Sequence, residues 1–71
     1  MTYSEFARRA RSLGCEELTA KAAGSHRKWR NPQTQGRTVV PDHGSKDLRI
    51  GTLRSAVRQL GLDWDEFLQR K

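Results

Sequence analysis

Apolar residues near the amino terminus recur at the spacing of an amphipathic helix. The apolar stripe comprises Phe6, Ala10 and Leu13. Residues three or four positions apart lie on one helical face, so this stripe predicts a helix with one buried side. Thr2 and Glu5 have the spacing of a capping box at its start, and Gly14 is placed to end it.

A second stripe of the same period lies near the carboxyl terminus. It comprises Leu53, Ala56, Val57 and Leu60. We expect this helix to begin near Gly51-Thr52 and to end at Gly61. A short third helix is predicted after Asp63, which serves as its cap with Glu66 three residues on. The apolar residues expected to dock this last helix are Trp64, Phe67 and Leu68.

The middle of the chain has the alternation and the turn residues of a β-hairpin. Residues 26–31 alternate with a period of two, and residues 37–40 are rich in β-branched side chains before Pro41. The polar segment 31–36 between them reads as a turn. Segment 15–23 favours helix by propensity but is also compatible with a short strand, which we place in its latter half.

This order of elements predicts an α+β fold in which the two main helices pack on one face of a small antiparallel sheet. The other face of the sheet is then left to solvent. Alternation along residues 26–31 separates two sets of side chains: His26, Lys28 and Arg30 on one face, and Arg27, Trp29 and Asn31 on the other. If Trp29 points to the core, the first set points outward together.

Composition limits the classes of function. Seventy-one residues are enough for one domain, residues 1–71. Fourteen Lys and Arg residues, most of them arginine, against eight Asp and Glu residues give a net charge of +6. That excess favours RNA, DNA or an acidic protein as a partner, although a basic surface also serves solubility alone. The single Cys15 forms no internal disulfide, which fits a reducing cytoplasm. No signal peptide or membrane span is apparent.

His26 is the leading candidate for chemistry. Histidine exchanges protons near neutral pH, and RNA supplies its own nucleophile in the ribose 2′-OH. Cleavage then needs a base to take that proton, cations to steady the phosphate charge, and an acid for the leaving 5′-oxygen. The alternative is a turn histidine that only caps a backbone group. His43 is either its partner in an acid and base pair or unrelated to it. We expect no metal and no other cofactor, because no third ligand has a suggestive spacing.

The basic residues near these histidines are candidates for phosphate contacts. Lys28, Arg30 and Lys46 are the ones we select, with Arg49, Arg54 and Arg58 extending the basic character. A solvated helix face is the alternative for the arginines of the second helix. Of the two tryptophans, Trp64 is expected in the core, while Trp29 fits either the core or a base-stacking position.

Several motifs occur here in the order found in one known family. These motifs are Gly24-Ser25-His26, Asn31-Pro32, Val40-Pro41-Asp42-His43 and Gly51-Thr52-Leu53-Arg54, with Gly61-Leu62 and Glu66-Phe67 near the end. Together they resemble the HicA toxin family of mRNA interferases, and the resemblance runs from about Phe6 to Phe67.

The resemblance implies a fold like that of double-stranded-RNA-binding domains, with a three-stranded antiparallel sheet on two helices. It implies cleavage of mRNA and inhibition by a HicB-like antitoxin protein that covers the active site. The family's catalytic histidine falls on His26, and the histidine of its VPxH stretch falls on His43. Gly24 and Ser25 belong to the same motif and are expected at the RNA. No membrane and no small-molecule cofactor are implied.

Overall fold

Thr2 begins the first helix, as its spacing to Glu5 predicts. The computed structural model describes residues 1–18 and 25–70. Helix α1 spans Tyr3–Ser12, and the Thr2 hydroxyl accepts a hydrogen bond from the Glu5 backbone N–H at 3.3 Å. The face predicted to be apolar is the buried one, with Phe6 and Ala10 fully enclosed. The amphipathic pattern therefore orients α1 toward the core.

Three antiparallel strands form a sheet in the order β1-β2-β3. Strand β1 spans Glu16–Glu17, β2 spans His26–Arg30 and β3 spans Arg37–Pro41. The first strand lies in the early part of segment 15–23, whereas we placed it in the latter half. Residues 19–23 of that segment lie outside the described residues. The predicted hairpin of β2 and β3 is confirmed, and its register pairs His26 with Pro41 and Arg30 with Arg37.

Strand β3 includes Pro41, one residue beyond the segment 37–40 that the sequence predicts as a strand. Strand β3 lies at an edge of the sheet and Pro41 is its last residue. Proline is tolerated there because the missing N–H removes no bond from a central ladder. The extension by one residue carries β3 to a position directly opposite His26.

Helices α2, spanning Ile50–Gln59, and α3, spanning Trp64–Gln69, follow the sheet. Helix α2 begins slightly earlier than predicted, after Arg49. Gly61 follows its end with φ of 70°, a left-handed conformation that glycine adopts without strain. The predicted cap of α3 is confirmed, since an Asp63 carboxylate oxygen accepts from the Glu66 N–H at 2.9 Å.

Both main helices pack against one face of the sheet, and the core lies between them. Trp29 is its central side chain: it is fully buried, its ring meets Phe6 edge-on at 5.6 Å, and its indole N–H donates to the Tyr3 hydroxyl at 3.0 Å. Burial raises the pKa of Tyr3 to about 12, so this hydroxyl keeps its proton and its hydrogen bond. Trp29 therefore belongs to the core and not to a base-stacking surface.

Two expectations for α3 are wrong. Trp64, expected in the core, is half-buried at its rim, with the Arg54 guanidinium 4.8 Å from its ring centroid. Leu68, expected to dock the helix, is exposed. Phe67 alone fills the core from α3, because the next residue is turned about 100° around the helix axis. The α+β class is confirmed, and none of the described helices is long and apolar enough to cross a membrane.

Candidate active site

His26 is the first residue of β2 and is exposed on the free face of the sheet. Backbone pairing with β3 fixes the position of His26, and a backbone hydrogen bond fixes the residue before it. Strand pairing places His26 opposite Pro41, and the Asp42 N–H donates to the Ser25 carbonyl oxygen at 2.6 Å. The imidazole is therefore presented to solvent from a fixed backbone. No carboxylate among the described residues forms an ion pair with it.

Arg27, the next residue of β2, lies on the opposite face of the strand and forms two ion pairs there. Its guanidinium lies 3.4 Å from a Glu17 carboxylate oxygen of β1 and 3.5 Å from an Asp42 carboxylate oxygen beyond β3. The other Asp42 oxygen accepts the Gly44 N–H at 3.0 Å. Arg27 thus joins β2 to β1 and to the residue that follows β3, and Asp42 in turn bonds to the turn that carries His43.

His43 is exposed in the turn after β3, at the same end of the hairpin as His26. It borders a cavity of about 430 Å³. The lining residues are Pro41, His43, Lys46, Asp47, Leu48, Arg49 and Thr52. The structure therefore brings His43 and Lys46 together at one cavity with Arg49, and adds Thr52, which the sequence did not single out as a site residue.

The start of α2 makes this cavity favourable for an anion. Arg49 is the N-cap residue of α2, but no side chain forms a capping hydrogen bond there. The first turn of α2 holds no acidic residue. The first backbone N–H groups of α2 and the positive end of its dipole therefore lie at the cavity. No carboxylate of the first turn accepts hydrogen bonds from these N–H groups. Together with the Lys46 ammonium and the Arg49 guanidinium, they form an environment that suits phosphate oxygens.

The loop carrying His43 is anchored to the amino terminus, a contact that no sequence motif signalled. The Leu48 N–H donates to the Met1 carbonyl oxygen at 2.7 Å, and the terminal ammonium lies 3.1 Å from the Asp47 carboxylate. Leu48 is buried beneath the loop. Segment 42–49 is thus held against the body of the domain next to the cavity.

Lys28 and Arg30 lie on the exposed face of β2 with His26, as the alternation predicts. Arg30 is engaged within the sheet: its guanidinium is 2.8 Å from a Glu16 carboxylate oxygen and 3.3 Å from the Gln35 side-chain oxygen. A phosphate contact by Arg30 would have to compete with Glu16. Ser25 is exposed in the turn before β2, and Gly24 lies outside the described residues.

The chain is similar over most of its length to proteins of one known family. A family model described as the HicA toxin of bacterial toxin–antitoxin matches residues 3–62. A protein of Pseudomonas fluorescens (strain Pf0-1), named "Probable mRNA interferase HicA", is 46% identical over 63 residues, which cover 87% of this chain and 97% of that protein. No solved structure matches the chain.

Proposed function

The chain belongs to the HicA toxin family, and from that premise we propose that it is the toxin of a bacterial toxin–antitoxin pair and cleaves mRNA as an endoribonuclease. One observation carries the proposal: His26 stands exposed at the start of an outward-facing strand that also presents Lys28. The Pseudomonas relative is named as an mRNA interferase, which supports the choice of substrate. We assign the protein to the cytoplasm, where mRNA is found.

In the proposed reaction, a neutral His26 imidazole takes the proton of a ribose 2′-OH. The 2′-oxygen attacks the adjacent phosphorus, the bond from phosphorus to the 5′-oxygen breaks, and the leaving oxygen takes a proton from water or from His43. The products are a 2′,3′-cyclic phosphate and a 5′-hydroxyl. General-base catalysis of this kind contributes a rate factor of roughly 10²–10⁴, and the reaction needs no metal ion.

Charge stabilisation is assigned to the cations around His26. Lys28 lies two residues along the same exposed face of β2, and the cavity beside His43 presents Lys46 with the start of α2. Positive groups near the phosphate lower the energy of the charge that develops on its oxygens. Ser25 and Gly24, in the turn that precedes His26, are proposed to approach the RNA backbone.

The surface around His26 is also the proposed binding site of a HicB-like antitoxin. A HicB-like antitoxin that covers His26 would exclude RNA from the site, and acidic residues on it would complement the net charge of +6. This inhibition follows the family assignment.

The alternative is an RNA-binding module without catalytic activity. One observation favours it: none of the described residues is hydrogen-bonded or ion-paired to the His26 imidazole in a way that would orient it as a base. In that reading the exposed cations bind phosphates and His26 contributes only a contact.

Purified protein incubated with a single-stranded RNA in excess EDTA separates the two readings. We expect defined fragments to accumulate, because neither the base nor the nucleophile requires a metal. Electrophoresis of end-labelled RNA measures the cleavage, and a filter-binding assay on the same mixture measures the affinity. If the folded protein binds the RNA but leaves it intact, the result would support the binding module and contradict the nuclease.

A further inference from the structure

The free face of the sheet carries an apolar pair beside the His26 strand. Leu18 continues β1 by one residue, since its N–H donates to the Lys28 carbonyl oxygen at 2.7 Å. On the other side of Lys28, the register places Val39 of β3. Leu18 is 45% exposed and Val39 is 50% exposed. Two aliphatic side chains therefore flank a lysine on a surface that is otherwise charged.

These residues border a cavity of about 560 Å³. It is lined by Leu18, Lys28, Trp29, Arg37, Thr38, Val39 and Gln59. Its volume falls in the range of roughly 300–1,000 Å³ that small-molecule sites occupy. Lys28 lies two residues from His26 on the same strand face, a distance of about 6.8 Å along a strand. One lining residue of the cavity, Lys28, is therefore the next residue after the proposed catalytic group on the same face of the strand.

The charge around the cavity favours an anionic occupant. Arg37 is exposed and has no ion-pair partner among residues 1–18 and 25–70, whereas the neighbouring Arg30 is held by Glu16. An exposed guanidinium is suited to bind a phosphate through its planar set of donors. Apolar contact from Leu18 and Val39 and a cation from Arg37 together match one nucleotide, which has an apolar base face and an anionic phosphate.

A nucleotide fits the cavity between Leu18 and Val39 better than a protein segment does. A stable protein–protein interface buries about 800 Å² on each partner, and two aliphatic side chains supply only a small part of such an area. A single nucleobase needs no more than this. RNA that presents a phosphate to His26 must also run across the surrounding sheet surface.

We propose that Leu18, Val39 and Arg37 form a subsite for the nucleotide next to the scissile phosphate. The base lies against Leu18 and Val39, and its phosphate contacts Arg37. This assignment rests on the proposed function, because it takes RNA cleavage at His26 as given. It makes the apolar pair a determinant of which nucleotide is accepted beside the cut.

The test measures binding of a short 2′-O-methyl RNA, which has no free 2′-OH and is not cleaved. We expect the double variant Leu18→Ala, Val39→Ala to raise its Kd about tenfold, as losses of apolar contact in a pocket commonly do. We expect Arg37→Ala to lower the slope of log Kd against log salt by about 0.7, the value for one phosphate contact on a single strand. The same double variant should flatten the nucleotide preference beside the cut in cleavable RNA.

Matched controls come from exposed residues elsewhere. Leu68 is 42% exposed on α3, so Leu68→Ala removes a similar side chain away from the sheet, and Arg8→Ala removes an exposed arginine of α1. Both should leave the Kd unchanged, and thermal melting should show that every variant is folded. An unchanged Kd in the double variant would overturn the subsite, and so would a loss confined to antitoxin binding. Absence of RNA binding by the unaltered protein would instead refute the proposed function.

Discussion

His26→Ala is expected to lower the rate of RNA cleavage by a factor of about 10²–10⁴, the usual contribution of a general base. The side chain is exposed at the start of β2, so its removal takes away no core contact and the variant should unfold at the same temperature as the original chain. RNA affinity should change little, because the cations of the sheet and the cavity remain. Single-turnover kinetics on a labelled RNA, with a melting curve for each protein, measure both effects.

His43→Ala is the matched variant, because it removes an exposed imidazole at the same end of the hairpin. If His43 supplies the proton to the leaving oxygen, this change also slows cleavage, but at a step distinct from removal of the 2′-OH proton. Full activity in His26→Ala together with loss in His43→Ala would reverse the assignment of the base. Full activity in both variants would remove histidine from the mechanism.

Trp29→Ala is expected to lower the free energy of unfolding by about 3–5 kcal/mol, the range for truncation of a large buried aromatic side chain. Trp29 is completely enclosed, contacts Phe6, and donates its indole N–H to the Tyr3 hydroxyl. Its loss opens a cavity and leaves that hydroxyl without its donor. Domains have roughly 5–15 kcal/mol of stability, and a chain this small lies near the lower end, so the variant should be largely unfolded at 37 °C.

Urea denaturation of Trp29→Ala and Trp64→Ala tests this account. Trp64 is half-buried at the rim of the core, so its truncation should cost clearly less than that of Trp29. Equal losses, or a larger loss for Trp64, would contradict the placement of Trp29 as the central side chain. Both variants replace a tryptophan by alanine, and the two tryptophans differ in how deeply they are buried.

The helices were predictable because their signals are local. The Thr2 and Asp63 caps need only a side chain and a backbone N–H three residues away, and both hydrogen bonds are present. Alternation likewise predicted that Trp29 lies on the opposite face of β2 from His26 and Lys28, and the structure adds that the Trp29 face is the buried one. Each of these inferences depends on a period that is fixed by backbone geometry.

The features that the sequence did not predict depend on contacts between distant parts of the chain. The ion pairs from Arg27 to Glu17 and Asp42 join β2 to β1 and to the residue after β3, and no spacing in the sequence indicates them. The difference between Trp29 and Trp64 was misjudged for the same reason: both are aromatic residues in patterned segments, and only the assembled core decides which one is enclosed. The loop that borders the cavity beside His43 is likewise bonded to the amino terminus, which is more than 40 residues away in the sequence.

The central claim is that the ribose 2′-OH, deprotonated by His26, is the nucleophile. The mass of the 5′ fragment released from a short RNA in EDTA tests it most directly. A fragment ending in a 2′,3′-cyclic phosphate, formed about 10²–10⁴ times more slowly by His26→Ala, is the predicted result. A fragment ending in a 3′-hydroxyl would show that water attacks the phosphorus, and would contradict the mechanism.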